Sequence, residues 1–85
     1  MSSRTTTSFV TFNHSFVVAG YTDELPAGRY QILAEDEVLR SASFAAYRRT
    51  ATYLLVKAQA APIELRPVDY RDLKLALAQD QAITH

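Results

Sequence analysis

Leu25-Pro26-Ala27-Gly28-Arg29-Tyr30-Gln31-Ile32-Leu33-Ala34-Glu35-Asp36-Glu37 carries the clearest local signals in the chain. Pro26 supplies the fixed backbone angle wanted at the second position of a type I turn, and Gly28 sits where such a turn ends. From Arg29 the residues alternate, as they do along a half-buried strand: Tyr30, Ile32 and Ala34 line one face, and Arg29, Gln31 and Glu35 the other. Leu33 is the one mismatch. The acids Glu35, Asp36 and Glu37 then read as a charged second turn. A turn, a strand and a turn are architecture, and they contain no chemistry.

Upstream, residues 1–7 are rich in Ser and Thr and read as a frayed end. From Ser8 the composition becomes that of strands, with Phe9, Val10, Thr11, Phe12, Phe16, Val17 and Val18. Asn13-His14-Ser15 lies between the two apolar groups. It joins two short strands or bends one long strand, and spacing alone allows both. Gly20 ends the region, and Tyr21 to Glu24 forms an exposed loop leading to Pro26.

Downstream, Val38, Leu39 and Arg40 begin a further strand that Ser41, Ala42 and Ser43 weaken, so the first four elements form an antiparallel meander. Phe44 to Ala60 carries two patterns. Phe44, Tyr47, Ala51, Leu54, Leu55 and Ala58 fall at helical spacing with Ser43 as a cap, but Thr50, Thr52, Tyr53 and Val56 are strand formers. The strand is preferred, with Thr50 to Lys57 as its extent. Pro62 and Pro67 bracket Ile63 to Arg66, an extended connector or an edge strand, because each Pro removes a backbone donor. The helix signal follows: Asp69 as cap, Val68 stapling against Leu73, and Asp72 in the first turn. Its stripe is Leu73, Ala76 and Leu77 with Leu75 to one side, which predicts a helix from Tyr70 to about Gln79. Residues 80–85 are expected to fray. The fold class expected is α+β: one domain over residues 1–85, with a mostly antiparallel sheet of four or five strands, open or curled into a small barrel, and one C-terminal helix.

The totals agree with that size of core. A chain of 85 residues buries only roughly 60 to 65% of its unfolded surface, so its stability margin is thin. Hydrophobic residues make up 48% of it and Gly and Pro are few, which favours a packed core over disorder. Without Cys there is no disulfide and no thiolate ligand or nucleophile. Nine basic residues balance nine acidic ones, so no net field attracts nucleic acid or an anionic membrane. Charge is nonetheless uneven, since no formally charged residue lies between Arg4 and Asp23. Arg4 before Phe9 to Ala19 suggests a secretory leader, but Thr11, Asn13, His14 and Ser15 interrupt the apolar run and no small-residue cleavage site follows. No apolar run approaches the roughly 18 residues of a membrane span. The expected location is the cytoplasm.

Leu25-Pro26-Ala27-Gly28-x-Tyr30, followed by Glu35-Asp36-Glu37 and by Ser43-Phe44-x-Ala46-Tyr47-Arg48-Arg49, resembles a family of short, uncharacterised bacterial proteins over residues 9–57. The resemblance implies a small β-rich domain. It brings no activity and no site residues.

Chemical candidates are few. His14 and His85 are the only imidazoles; a metal needs three or four convergent ligands, and neither has a spaced partner. Ser15 adjoins His14, but neighbours on a strand point to opposite faces, which separates nucleophile from base. Glu35, Asp36 and Glu37 read as a solvated run rather than a dry carboxylate pair. Gly20 and Gly28 fit no phosphate loop. The residues with most weight are Tyr47, Arg48, Arg49 and Tyr53, a possible interaction surface, because Tyr and Arg are enriched in protein interfaces. These observations predict a protein that is not an enzyme and uses no cofactor or metal. Its expected role is a non-enzymatic protein-interaction or self-associating module, with a protein partner that includes a second copy of itself. The alternative is a nucleic-acid-binding β domain using Arg40, Arg48 and Arg49.

Overall fold

A computed structural model describes residues 3–40, 45–57 and 62–83. Its elements are β1 (Ser3–Phe12), β2 (Gly28–Arg40), β3 (Ala45–Val56), β4 (Glu64–Pro67) and α1 (Tyr70–Ala82). The strands form one antiparallel sheet in the order β1-β2-β3-β4. The fold is therefore α+β, with an open meander and a C-terminal helix. The barrel alternative is not what forms: β1 and β4 are the two edges of the sheet.

The acidic run is the main correction. Glu35, Asp36 and Glu37 make no turn; they lie inside β2, which continues through Val38, Leu39 and Arg40 as one strand of 13 residues. Cross-strand cations meet two of the three, because Asp36 stands between Arg4 of β1 and Arg49 of β3 and Glu37 stands opposite Arg48, while Glu35 faces Thr5 and Ala51. Opposite charges across a ladder stabilise pairing, whereas consecutive acids without partners would favour solvent. The same pairing corrects the expected fraying of residues 1–7: from Ser3 onward the chain is strand, in continuous register from Ser3↔Glu37 to Phe12↔Gly28.

After Phe12 the chain bends. Phe16 then exchanges two backbone hydrogen bonds with Leu25, at 2.9 and 2.8 Å, forming an isolated bridge rather than a second strand. Between them Tyr21 N donates to Val18 O at 3.0 Å. Gly20, at φ 94°, supplies the positive angle that the third position of such a turn requires.

β3 confirms the strand preferred over the helix for this region, and it starts earlier than Thr50. The helical alternative fails because Tyr47, Ala51 and Leu54 each pair across the ladder with β2, and the β-branched Thr52 and Val56 and aromatic Tyr53 among them favour the extended chain. Phe44 and residues 58–60 lie outside the described residues. The stretch between Pro62 and Pro67 is the edge strand β4, joined only to β3. Asp69 caps α1, accepting from Arg71 N at 2.8 Å. The helix runs past Gln79 to Ala82, and Asp80, expected in a frayed tail, is buried. Its carboxylate is bonded to the bend after β1, and this holds the last turns in place.

The core gathers at one end of the sheet. Phe12, Phe16, Val18, Leu25, Ile32 and Leu54 pack with Leu73 and Ala76 of α1. Phe12 and Phe16 stack with centroids 3.5 Å apart, and Tyr30 meets both edge-on. The predicted face of Tyr30, Ile32 and Ala34 is thus the core face. Beyond the helix the same sheet continues as an arm, carrying Arg4, Asp36, Tyr47 and Arg49.

Candidate interaction surface

The four residues singled out in the sequence do not share a face. Regular alternation along β3 would place Tyr47, Arg49 and Tyr53 together and Arg48 opposite. The register instead skips a residue, pairing Glu35 with Ala51 and Asp36 with Arg49, so Thr50 is an extra residue in β3. Its hydroxyl donates to Glu35 O at 3.1 Å. The bulge reverses the alternation beyond it. Tyr47 and Arg49 therefore lie on the helix side of the sheet, and Arg48 and Tyr53 on the outer side. Arg40, at the end of β2, pairs with Ala45 on the arm.

Both arginines of the pair are engaged by carboxylates. Arg49 Nε donates to Asp36 Oδ1 at 2.7 Å, and Arg4 donates to Asp36 Oδ2 at 3.4 Å. Arg48 donates to Glu37 at 3.0 Å. Asp36 is buried, and the Arg49 guanidinium, followed by that of Arg4, holds its carboxyl below the usual carboxylate range. Arg4 lies 3.7 Å above the Tyr47 ring and Arg49 lies 5.5 Å from that of Tyr70. Arg4, Arg48 and Arg49 are thus paired with carboxylates within the arm, and Arg4 and Arg49 also lie near aromatic rings. A phosphate backbone would have to compete with these carboxylates.

His14 is a structural residue. Asp80 Oδ2 accepts from Asn13 N at 2.9 Å, and Oδ1 accepts from His14 N at 2.8 Å and from His14 Nδ1 at 3.0 Å. A carboxylate only accepts, so Nδ1 carries the hydrogen. The Asn13 amide first, and then the His14 ring, lower the Asp80 pKa. The unit clamps the bend after β1 to the end of α1. Among the described residues no group of three His, Cys, Asp or Glu side chains is placed to hold a metal. Ser15 is exposed beside this clamp, and His85 lies outside the described residues.

A second clamp was not legible in the sequence. Arg66, only 7% exposed, makes paired contacts with Asp23 at 3.0 Å each and two with Glu64 at 3.2 Å. Its guanidinium lies 4.5 Å from the Tyr21 ring, and Tyr21 OH donates to Pro67 O. Glu64 and Arg66, two apart on a strand, share a face and could have been paired from spacing. Asp23 is 43 residues away, and only the fold brings it there. Glu64 and Asp23 together raise the Arg66 pKa, and Arg66 lowers that of Asp23. The first clamp anchors the bend after β1 and the second the loop that carries Tyr21 and Asp23.

Among the described residues, no element packs over the outer face of the sheet or beyond its β1 edge. Leu33 stands opposite Tyr53, and Leu55 opposite Leu65. Phe9 and Leu65 are each 52% exposed. Arg29 covers one side of Phe9, 4.1 Å from its ring. A hollow of about 370 Å³ runs along this side, lined by Phe9, Gly28, Arg29, Gln31, Leu55 and Lys57 among others. Its charged groups are the cations Arg29 and Lys57. Among the described residues no helix is long and apolar enough to cross a membrane. No protein-family model, curated protein or solved structure matches this chain.

Proposed function

We propose that the chain is a non-enzymatic, self-associating interaction module that uses the outer face of its sheet and the adjoining β1 edge. The observation that supports this is the band of Phe9, Leu33, Tyr53, Leu55 and Leu65 on a sheet whose helix covers only the other face. An antiparallel sheet tolerates water on one face when that face is polar. A contiguous apolar band is the feature that association covers. The internal neutralisation of Arg48 and Arg49 weighs against the nucleic-acid alternative, since counterion release needs cations free to meet phosphates. The resemblance to short bacterial proteins adds no activity to this reading. Sedimentation over the micromolar range is the test. The expected result is a mass that rises with concentration toward a multiple of the chain mass, and a constant monomer mass would overturn the proposal.

A further inference from the structure

We infer that two copies of this chain join edge to edge through β1, antiparallel about a two-fold axis at mid-strand, merging their sheets into one. The inference rests on the self-association proposed above and names the element that carries it.

β1 is a ten-residue edge strand whose residues Ser3 to Phe9 are all exposed. Proteins normally blunt such edges with bulges, prolines or charges. From Thr5 to Phe12 this strand has no Pro and no charge, and its register with β2 is unbroken. Its one cation, Arg4, is turned onto Tyr47 and Asp36. The opposite edge differs. β4 has four residues and ends on Pro67, which lacks a donor, and the helix cap Asp69 follows at once. Head-to-tail stacking of β1 on β4 therefore has little to grip. Pairing β1 with β1 uses the whole strand and closes on itself, giving a dimer rather than a fibre.

The strand is also complementary to itself. An axis at Thr7 sets Arg4 opposite Val10, Thr5 opposite Phe9 and Thr6 opposite Ser8. An axis at Ser8 sets Arg4 opposite Phe12, Thr5 opposite Thr11, Thr6 opposite Val10 and Thr7 opposite Phe9. In either register, residues from the same face meet and no like charges oppose. The pairs are of the β-branched, hydroxyl and aromatic kinds that stabilise antiparallel ladders. The pairing adds roughly eight to ten backbone hydrogen bonds between chains. It also lays the arm end of each β1 beside the body end of its partner, so the arm gains a neighbour.

The absence of Cys makes the test direct, because a single introduced Cys can form only an intermolecular disulfide. Thr7→Cys, Ser8→Cys and, on β4, Leu65→Cys are oxidised separately. The expected result is a covalent dimer that predominates at the axis residue, Thr7 or Ser8, because facing Cβ atoms there approach bonding distance. Leu65→Cys should stay largely uncoupled. In parallel, Lys and Glu at the residue that cross-links (Thr7→Lys and Thr7→Glu, or Ser8→Lys and Ser8→Glu) should each lose the dimer with an unchanged β-rich circular dichroism spectrum, and an equimolar mixture of the two should regain it. A wild-type dimer that gives no cross-link at either position and survives both Thr7→Lys and Ser8→Lys would overturn the edge pairing while leaving self-association through the outer face. A wild-type chain that is monomeric throughout would overturn both.

Discussion

The body and the arm of the same sheet are held by different forces. In the body, Phe12, Ile32 and Leu54 lie under Leu73 and Ala76, and the stabilisation comes from apolar area removed from water. In the arm no buried apolar cluster forms among the described residues, and α1 reaches it at Tyr70. The inner face of the arm is held by Arg4, Asp36 and Arg49, with Tyr47 and Tyr70 near the guanidinium groups. Apolar burial is non-directional and adds up over many atoms, so the body should unfold as one unit. Ion pairs are directional, and partly exposed ones are screened by salt. The arm should therefore open locally while the body persists.

The contrast breaks most completely at Tyr30, whose ring meets Phe12 and Phe16 edge-on. Tyr30→Asp puts a carboxylate against two apolar rings, and the expected outcome is loss of the cooperative thermal transition. A variant that kept that transition would contradict the assignment of this face to the core. Leu54→Ala, at a residue with no exposed surface, should cost about 2–5 kcal/mol in urea unfolding. All probes should shift together.

Asp80→Asn tests the joint between the bend and the helix. One carboxylate oxygen becomes an amide group facing hydrogen-bond donors, so the melting temperature should fall by less than in Leu54→Ala. The acid limb of stability should also change. Asp80 and Asp36 both have folded pKa values below their unfolded ones. Each thus contributes stability that is fully present above an unfolded value of about 3.9 and lost as pH falls through its folded value. Unfolding of the wild type should become easier below about pH 4, and less steeply so in Asp80→Asn.

Asp36→Asn sharpens the comparison from the other side. It removes the shared counter-charge of Arg4 and Arg49, and the expected outcome is faster amide hydrogen exchange in Ser3 to Thr7 and at Tyr47 to Arg49. Exchange in β4 and α1 should hardly change. If the whole domain lost protection equally, body and arm would be one cooperative unit. The smallest effect is expected from Arg48→Ala. This arginine is 64% exposed in its side chain, and a surface pair of this kind contributes about 0–1 kcal/mol, declining as salt is added.

Legibility followed the range of the causes. The cap at Asp69, the core face of Tyr30, Ile32 and Ala34, and the strand character of Thr52 to Val56 rest on neighbours within a few residues, and all could be read in order along the chain. The acidic run could not. Read locally, Glu35, Asp36 and Glu37 favour solvent, and the cations that meet Asp36 and Glu37 in β2 come from two other strands. The separation of Tyr47 from Tyr53 depends on a bulge at Thr50 that has no residue signature, since no Gly marks it. Asp80 was assigned to a frayed end because its partners, Asn13 and His14, lie at the opposite end of the sequence.

The sequence by itself determined the class of the fold, the antiparallel character of its sheet and the start of its helix, because alternation, prolines and capping residues act over one turn or one strand. Tertiary structure alone decided how far β1 and β2 extend, which face each arginine occupies, and which edge of the sheet stays open. Those outcomes come from charges and backbone groups that meet only after distant strands have paired, so no local pattern encodes them.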